Sequence, residues 1–391
     1  MKFPPLVDRI KGESVAAWTI HGEAREAQLR GEDVIVLSIG DPELETPAPV
    51  LERAIEALRG GDIRYTPAAG RIALRRAIAQ THERRTGQAV SAENVVFLSG
   101  AQNALFAASM CVAGAGDEVL ALEPLYPSYP ATIRASGAQL VRVPAPAAAG
   151  FRPDLGKLAA AITARTRALF FATPNNPSGV ILSEVDLAVI GDLARRHSLW
   201  IVADEVYAGL APGGRVPGLA ARLPEQVVTI SSLSKSHSMP GLRAGWLVGP
   251  KELAQHAESL SMCMLFGLPG FIQEAALTAL NGSTAPELRI RELCVARRDL
   301  LMQGLGGVRG IRCCVPDAGM FTLIDVCETG LSGYDFMSGL FRSERVSVLD
   351  GGAFGEATRG FVRLCFATDE ATLREAMIRI RRYVGTLTRQ S

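Results

Sequence analysis

Seven short apolar runs, separated by segments with helical patterning, constrain this chain more than any other feature. They are Val95–Leu98, Val119–Leu122, Leu140–Val143, Ala168–Ala172, Trp200–Ala203, Val227–Ile230 and Gly245–Val248. Strands that are apolar on both sides must be covered on both faces, so the pattern predicts an α/β fold with a mainly parallel sheet between helical layers. A length of 391 residues leaves room for one large domain and a smaller one. After about residue 285 the style changes. A charged helix (Glu287 to Gly304) leads into Met320–Val326, a helical stretch near Tyr334–Arg342, then Val346–Leu349, Val362–Phe366 and a basic terminal helix. We expect a smaller α+β domain over residues 285–391, joined by an N-terminal arm (1–45), with the large domain spanning 46–284.

Parallel sheets of this kind bind ligands at the carboxyl ends of their strands. Polar residues follow these runs: Ser99-Gly100, Thr173-Pro174-Asn175-Asn176, Asp204-Glu205 and Ser231-Ser232. Beyond the last of them lies Ser232-Leu-Ser-Lys235-Ser-His-Ser-Met-Pro-Gly-Leu-Arg243. An amine flanked by small hydroxyls, with an arginine eight positions on, supplies a Schiff-base nucleophile and holders for a phosphate. Those are the requirements of pyridoxal 5'-phosphate (PLP). An isolated lysine in such a loop reads better as a solvated side chain, so the other strand ends decide. Asp204 ends an apolar strand, and a buried carboxylate needs a cation or several donors. A protonated pyridine nitrogen would serve, and so would the role of a helix cap. Tyr207 either places a phenol near a ring oxygen or simply packs. Asn175 and Asn176, in a proline-fixed turn, offer amides to the same crevice. Ser99-Gly100-Ala101-Gln102-Asn103 opens a helix over Ala104–Val112, whose free N–H groups suit an anion.

Other chemistries find no support in the residues. Gly114-Ala-Gly116-Asp lies after a helix and before a strand, the reverse of a dinucleotide fingerprint. No HExxH, G-x-S-x-G or Walker loop is present, and the seven cysteines lack metal-ligand spacing, so no metal is expected. A formal charge of +1 suggests no nucleic-acid partner. The apolar runs fall well short of the roughly 20 residues a membrane span needs, and Met1 to Arg9 lacks a secretory pattern. With reduced thiols, these features lead us to expect a cytoplasmic protein without membrane contact. His237, beside Lys235, is expected to be a structural neighbour.

In order and spacing the chain resembles the PLP-dependent fold-type I aminotransferases (class I/II, the aspartate aminotransferase superfamily) over essentially its whole length. The matching motifs are Tyr65-Thr-Pro-Ala-Ala-Gly70, Ser99-Gly-Ala-Gln102, Pro174-Asn-Asn-Pro-Ser-Gly179, Asp204-Glu-Val-Tyr207, Ser232-Leu-Ser-Lys235, Gly241-Leu-Arg243 and Val362-Arg363-Leu364. The resemblance implies that Lys235 is the Schiff-base lysine and proton shuttle, and that Asp204 pairs with the pyridine nitrogen. Tyr207 and Asn176 would reach the ring oxygen. Ser232, Arg243 and the Gly100-Ala101-Gln102 backbone would hold the phosphate, and Tyr126 would stack on the ring. Arg363 would grip the substrate α-carboxylate, with Gly40 alongside. Tyr65 would reach across from a partner subunit, which implies a homodimer with shared sites.

Within that superfamily, further segments are similar to the arginine–pyruvate transaminases of bacteria. They are Ala16-Ala-Trp18-Thr-Ile-His21, Ser232 through Pro250, Cys263 through Glu274 and Ser347 through Phe354. The resemblance implies amino transfer from an amino acid to a 2-oxo acid, with arginine as donor and pyruvate as acceptor. A same-fold C–S β-lyase, an amino-acid-modifying biosynthetic enzyme, or an aspartate or aromatic specificity stands as the alternative. A regulatory module of this fold would need a DNA-binding extension, and none is visible. Trp18, His21 and the Met264–Phe266 region are candidates for reading the substrate side chain, or else serve arm docking and interface packing.

Overall fold

The structure, a computed structural model, describes residues 1–11 and 18–387. The first two residues of the Ala16–His21 motif therefore lie outside the described residues. Ile35–Val36 (β1) precedes a seven-stranded sheet formed by Val95–Ser99 (β2), Glu118–Glu123 (β3), Gln139–Pro144 (β4), Thr166–Ala172 (β5), Trp200–Asp204 (β6), Val227–Ser232 (β7) and Ala244–Val248 (β8). Each of the seven apolar runs becomes one of these strands. The order across the sheet is β2-β8-β7-β6-β5-β3-β4. Only β8 runs against its neighbours; the other pairs are parallel. Strands β5 to β8 are buried almost throughout because helices cover both faces. On one face the helix Gly100–Val112 packs Ala104, Leu105 and Ala108 against Val96, Phe170, Val202 and Val228. On the other, Glu184–His197 packs Leu187, Ile190 and Leu193 against Leu169, Phe171 and Ile201. That second helix begins at a capping box in which Ser183 and Asp186 satisfy each other's backbone N–H groups.

A second sheet lies toward the C-terminus. Arg312–Cys313 (β9), Phe321–Asp325 (β10), Val346–Ser347 (β11), Leu349–Asp350 (β12) and Phe361–Cys365 (β13) follow the helix Ala285–Leu305. Four of them form an antiparallel sheet in the order β12-β13-β10-β9. The expected strand over Val346–Leu349 is split. Its first half, β11, pairs in parallel with β1, and its second half, β12, pairs with β13. The chain changes partners at buried Val348, a switch that a run of apolar residues cannot reveal. Side chains from residues 20–37 and 290–384 share one apolar cluster, so the N-terminal segment is packed into the C-terminal sheet.

Strand direction decides where the polar residues meet. Asp204, at the end of β6, lies beside Ala172 and Ile230. Because β8 is antiparallel, its start pairs with the ends of β2 and β7, Ala244 with Ser99 and Gly245 with Ser232. Arg243 therefore emerges at the same edge as the residues that follow the parallel strands. The approach is close, since a Cβ on Gly245 would strike the backbone of Gly100 and Ala101. Gly245→Ala is expected to cost about 1–3 kcal/mol through overpacking, seen as a lower unfolding midpoint of the cofactor-free protein.

Candidate active site

A cavity of about 310 Å³ lies between the carboxyl ends of the large sheet and the second sheet. It gathers Lys235, Asp204, Tyr207, Asn176, Ser232, Arg243, Ala101, Gln102, Tyr126, Gly40, Arg363 and Trp18. Of the other expected residues, Gly100 lies directly beneath Arg243. Tyr65 is the exception: it is 87% exposed and packs edge-on against Phe266 at 5.0 Å, outside the cavity of its own protomer.

Lys235 sits in the turn after β7, and its Nζ donates to the Gly40 carbonyl. Burial pulls its pKa below the ordinary lysine value, which favours the neutral, nucleophilic amine. Asp204 is half-buried, with the cavity on its open side. Its Oδ2 accepts from the Tyr129 hydroxyl at 2.7 Å and its Oδ1 from the Val206 N–H at 3.1 Å. The cap-like bond to Val206 thus leaves the carboxylate still facing the cavity. Desolvation raises its pKa, and neither donor carries charge, so a cation placed against the open side would be strongly stabilised. A protonated pyridine nitrogen fits that requirement.

The phosphate end is also legible. The helix Gly100–Val112 points its N-terminus at the cavity edge, and Arg243 lies across that terminus. Its guanidinium donates to the carbonyls of Pro240 (2.9 Å) and Ser99 (3.5 Å). A Cβ at Gly100, where φ is +75°, would collide with this guanidinium, so glycine is needed for both space and conformation. A cation against the positive end of a helix is a poor arrangement unless an anion joins them, and a phosphate is the fitting anion. The buried Ser232 completes the cradle.

Arg363 occupies the middle of β13 and is 2% exposed. It donates to Asn176 Oδ1 (3.1 Å) and to the Ser38 carbonyl (2.6 Å), while its buried Nε has no partner. The rings of Phe321 and Phe354 lie 4.2 and 5.0 Å from the guanidinium carbon. Burial lowers its pKa. A guanidinium this enclosed, bonded only to neutral groups, is built to receive a carboxylate. Asn176 joins this corner to the next, since its amide reaches the Tyr207 hydroxyl at 3.5 Å.

Sequence reasoning missed Tyr129, Ser38, Phe321, Phe354 and Asp41. Tyr129 stands three residues after Tyr126 in the same aromatic motif, the one signal that could have marked it; the others are brought in by the second sheet and the arm. His21 lies in a neighbouring cavity, bonded to Ser38 Oγ at 2.8 Å, while Trp18 lines the main one and packs edge-on against it. Met264 contacts Asn103. His237 bonds Ser236 Oγ, lies outside the cavity lining, and is driven down to a pKa of about 4 by burial.

Comparison with known proteins decides the assignment. The family model described as "Aminotransferase class I and II" matches residues 32–380. The chain belongs to that family. It is 44% identical over 387 residues, 97% of each chain, to the arginine–pyruvate transaminase AruH of Pseudomonas aeruginosa. It is 34% identical to the aspartate/prephenate aminotransferase of Thermus thermophilus, covering 95% of this chain and 96% of that one. The solved aspartate aminotransferase of Thermus thermophilus with maleate superposes with a TM-score of 0.92 at 32% identity, over 98% of this chain and all of that one. The protein is a fold-type I, PLP-dependent aminotransferase acting on amino acids and 2-oxo acids. Borohydride reduction of this aminotransferase with PLP bound is expected to fix the cofactor on Lys235. Lys235→Ala should abolish transamination, and mass mapping of the adduct to any other lysine would refute the assignment.

Proposed function

We propose that this aminotransferase moves the amino group of L-arginine to pyruvate. The observation that carries the reading is the charge inventory of the cavity. Its lining cations are Lys235, Arg243 and Arg363, and each already has a task at the amine, the phosphate or the α-carboxylate. A donor with a second carboxylate finds no further cation in this lining among the described residues. A cationic side chain instead meets the Asp41 carboxylate and the aromatic face of Trp18. The 44% identity to an arginine–pyruvate transaminase supports the same choice.

The residues divide the work by position. Bound PLP supplies an aldehyde for the donor amine and a protonated ring that draws electrons from the donor Cα. Arg363 holds the α-carboxylate with paired N–H bonds and so fixes which Cα bond faces the ring. The Lys235 amine would serve as the base for the Cα proton. Asp204 would keep the ring nitrogen protonated, Tyr207 and Asn176 would bind the ring oxygen, and Tyr126 would cover the ring. Arg243, Ser232 and the N–H groups of Gly100, Ala101 and Gln102 would hold the phosphate. The donor's oxo acid leaves before pyruvate enters, giving ping-pong kinetics.

We take the protein to be a homodimer in which the partner subunit's Tyr65 completes the site. Exposed Leu51, Ile55 and Leu58, on one face of the helix Ala48–Arg59, support an apolar contact surface. The shared cluster of residues 20–37 and 290–384 supports the division into an arm, a large domain over 46–284 and a small C-terminal domain.

L-Arginine is expected to exceed L-aspartate as donor by kcat/KM, and L-citrulline, which lacks the charge, should fall about tenfold below arginine. Preference for aspartate or an aromatic amino acid would overturn the specificity alone. Arg363→Ala should lower kcat/KM for all donors by a similar factor. Asp204→Ala should slow Cα proton removal by roughly a hundredfold or more in single-turnover kinetics, each factor of ten being about 1.4 kcal/mol of transition-state stabilisation.

A further inference from the structure

We propose that Tyr129 is a positioning residue for the cofactor ring, holding Asp204 as an anion so that the proton stays on the ring nitrogen. The inference rests on the reading that Asp204 faces that nitrogen.

Tyr129 begins the helix Tyr129–Ala135 and is 3% exposed. Its ring is held edge-on between Tyr126, at 6.4 Å, and Phe170, at 6.5 Å, which aims its hydroxyl at Asp204 Oδ2. The helix itself is clamped. Gln102, from the phosphate-side helix, accepts from Ser128 Oγ at 2.5 Å and donates to Thr132 Oγ1 at 2.9 Å. Gln102 thus spends its side chain on the segment that carries Tyr129, and displacement of one element displaces the other.

The chemistry follows from the small number of donors. Asp204 has two, the Tyr129 phenol and the Val206 N–H, and both are neutral. A carboxylate facing a pyridine nitrogen either leaves the shared proton on nitrogen or takes it. Each hydrogen bond donated to the carboxylate lowers its basicity and keeps the proton on the ring. Losing the phenol removes half of that support and lets the proton move to Asp204, which weakens the ring as an electron sink. Burial drives the Tyr129 hydroxyl far above its ordinary pKa, so it remains a donor throughout the working range. Tyr129 lines the cavity and would act through its bond to Asp204.

The test is a cycle between the side chain and the ring nitrogen. Cofactor-free wild type, Tyr129→Phe and Asp204→Ala are each titrated with PLP and with its 1-deaza analogue, in which C–H replaces the ring nitrogen. Tyr129→Phe is expected to weaken PLP binding about tenfold and the deaza analogue by less than about twofold. With PLP, kcat should fall while the donor KM stays within about twofold. Equal weakening of both cofactors would make Tyr129 a packing residue and overturn the proposal, as would no change with either. The Asp204→Ala arm separates the two readings. If it fails to discriminate between the cofactors, the pairing of Asp204 with the ring nitrogen falls, and the role of Tyr129 falls with it. If Asp204→Ala discriminates and Tyr129→Phe does not, only the present inference is lost.

Discussion

Five charged side chains line one cavity, and among them Asp204, Arg363 and Arg243 are each hydrogen-bonded only to neutral groups. Asp204 takes a phenol and a peptide N–H, Arg363 gives to an amide oxygen and a carbonyl, and Arg243 gives to two carbonyls. Arg363 is withdrawn from water, where an unpaired charge is costly, while Asp204 is half-buried and Arg243 is exposed at the cavity edge. The fold keeps them apart on separate elements: Asp204 ends a parallel strand, Arg243 precedes the antiparallel one, and Arg363 lies within the second sheet. Their placement would suit a cationic ring nitrogen and a phosphate on the cofactor and an α-carboxylate on the substrate.

That separation also assigns direction to the chemistry. Arg243 and Asp204, proposed for the phosphate and the ring nitrogen, belong to the large sheet, whose strand order sets the distance between them. Arg363, proposed for the carboxylate, belongs to β13. Lys235 lies between, bonded to the Gly40 carbonyl from the N-terminal segment. Substrate held by Arg363 would present its Cα to an amine whose burial favours the neutral form. The N-terminal segment is essential to this arrangement, because β1 pairs with β11 and brings Ile39, Gly40 and Asp41 to the cavity.

Around these residues, glycines and neutral donors do the fine placement. Gly100 and Gly245 let a helix start, a strand and a guanidinium converge more closely than any side chain would permit. Gln102 appears in sequence as part of a phosphate loop, yet its side chain binds Ser128 and Thr132. The segment from Tyr126 to Thr132 is thereby fastened to the start of the helix Gly100–Val112.

The sequence by itself determined the seven core strands and the residues at their ends, because burial on both faces leaves a continuous apolar signature and the polar residue that follows stands out against it. It also marked the lysine, the aspartate and the arginines, whose chemistry is costly to place anywhere else. It did not show the division of Val346–Leu349 between two sheets, since both halves are equally apolar and only hydrogen-bonding partners distinguish them. Nor did it show that Ser38, Asp41, Phe321 and Phe354 join the site, or that Tyr129 supports Asp204. Those contacts cross up to about 320 residues of chain, as between Ser38 and Arg363. Local pattern reports which face of an element is apolar, whereas the meeting of two distant elements depends on the packing of everything between them. That part only the tertiary structure decided.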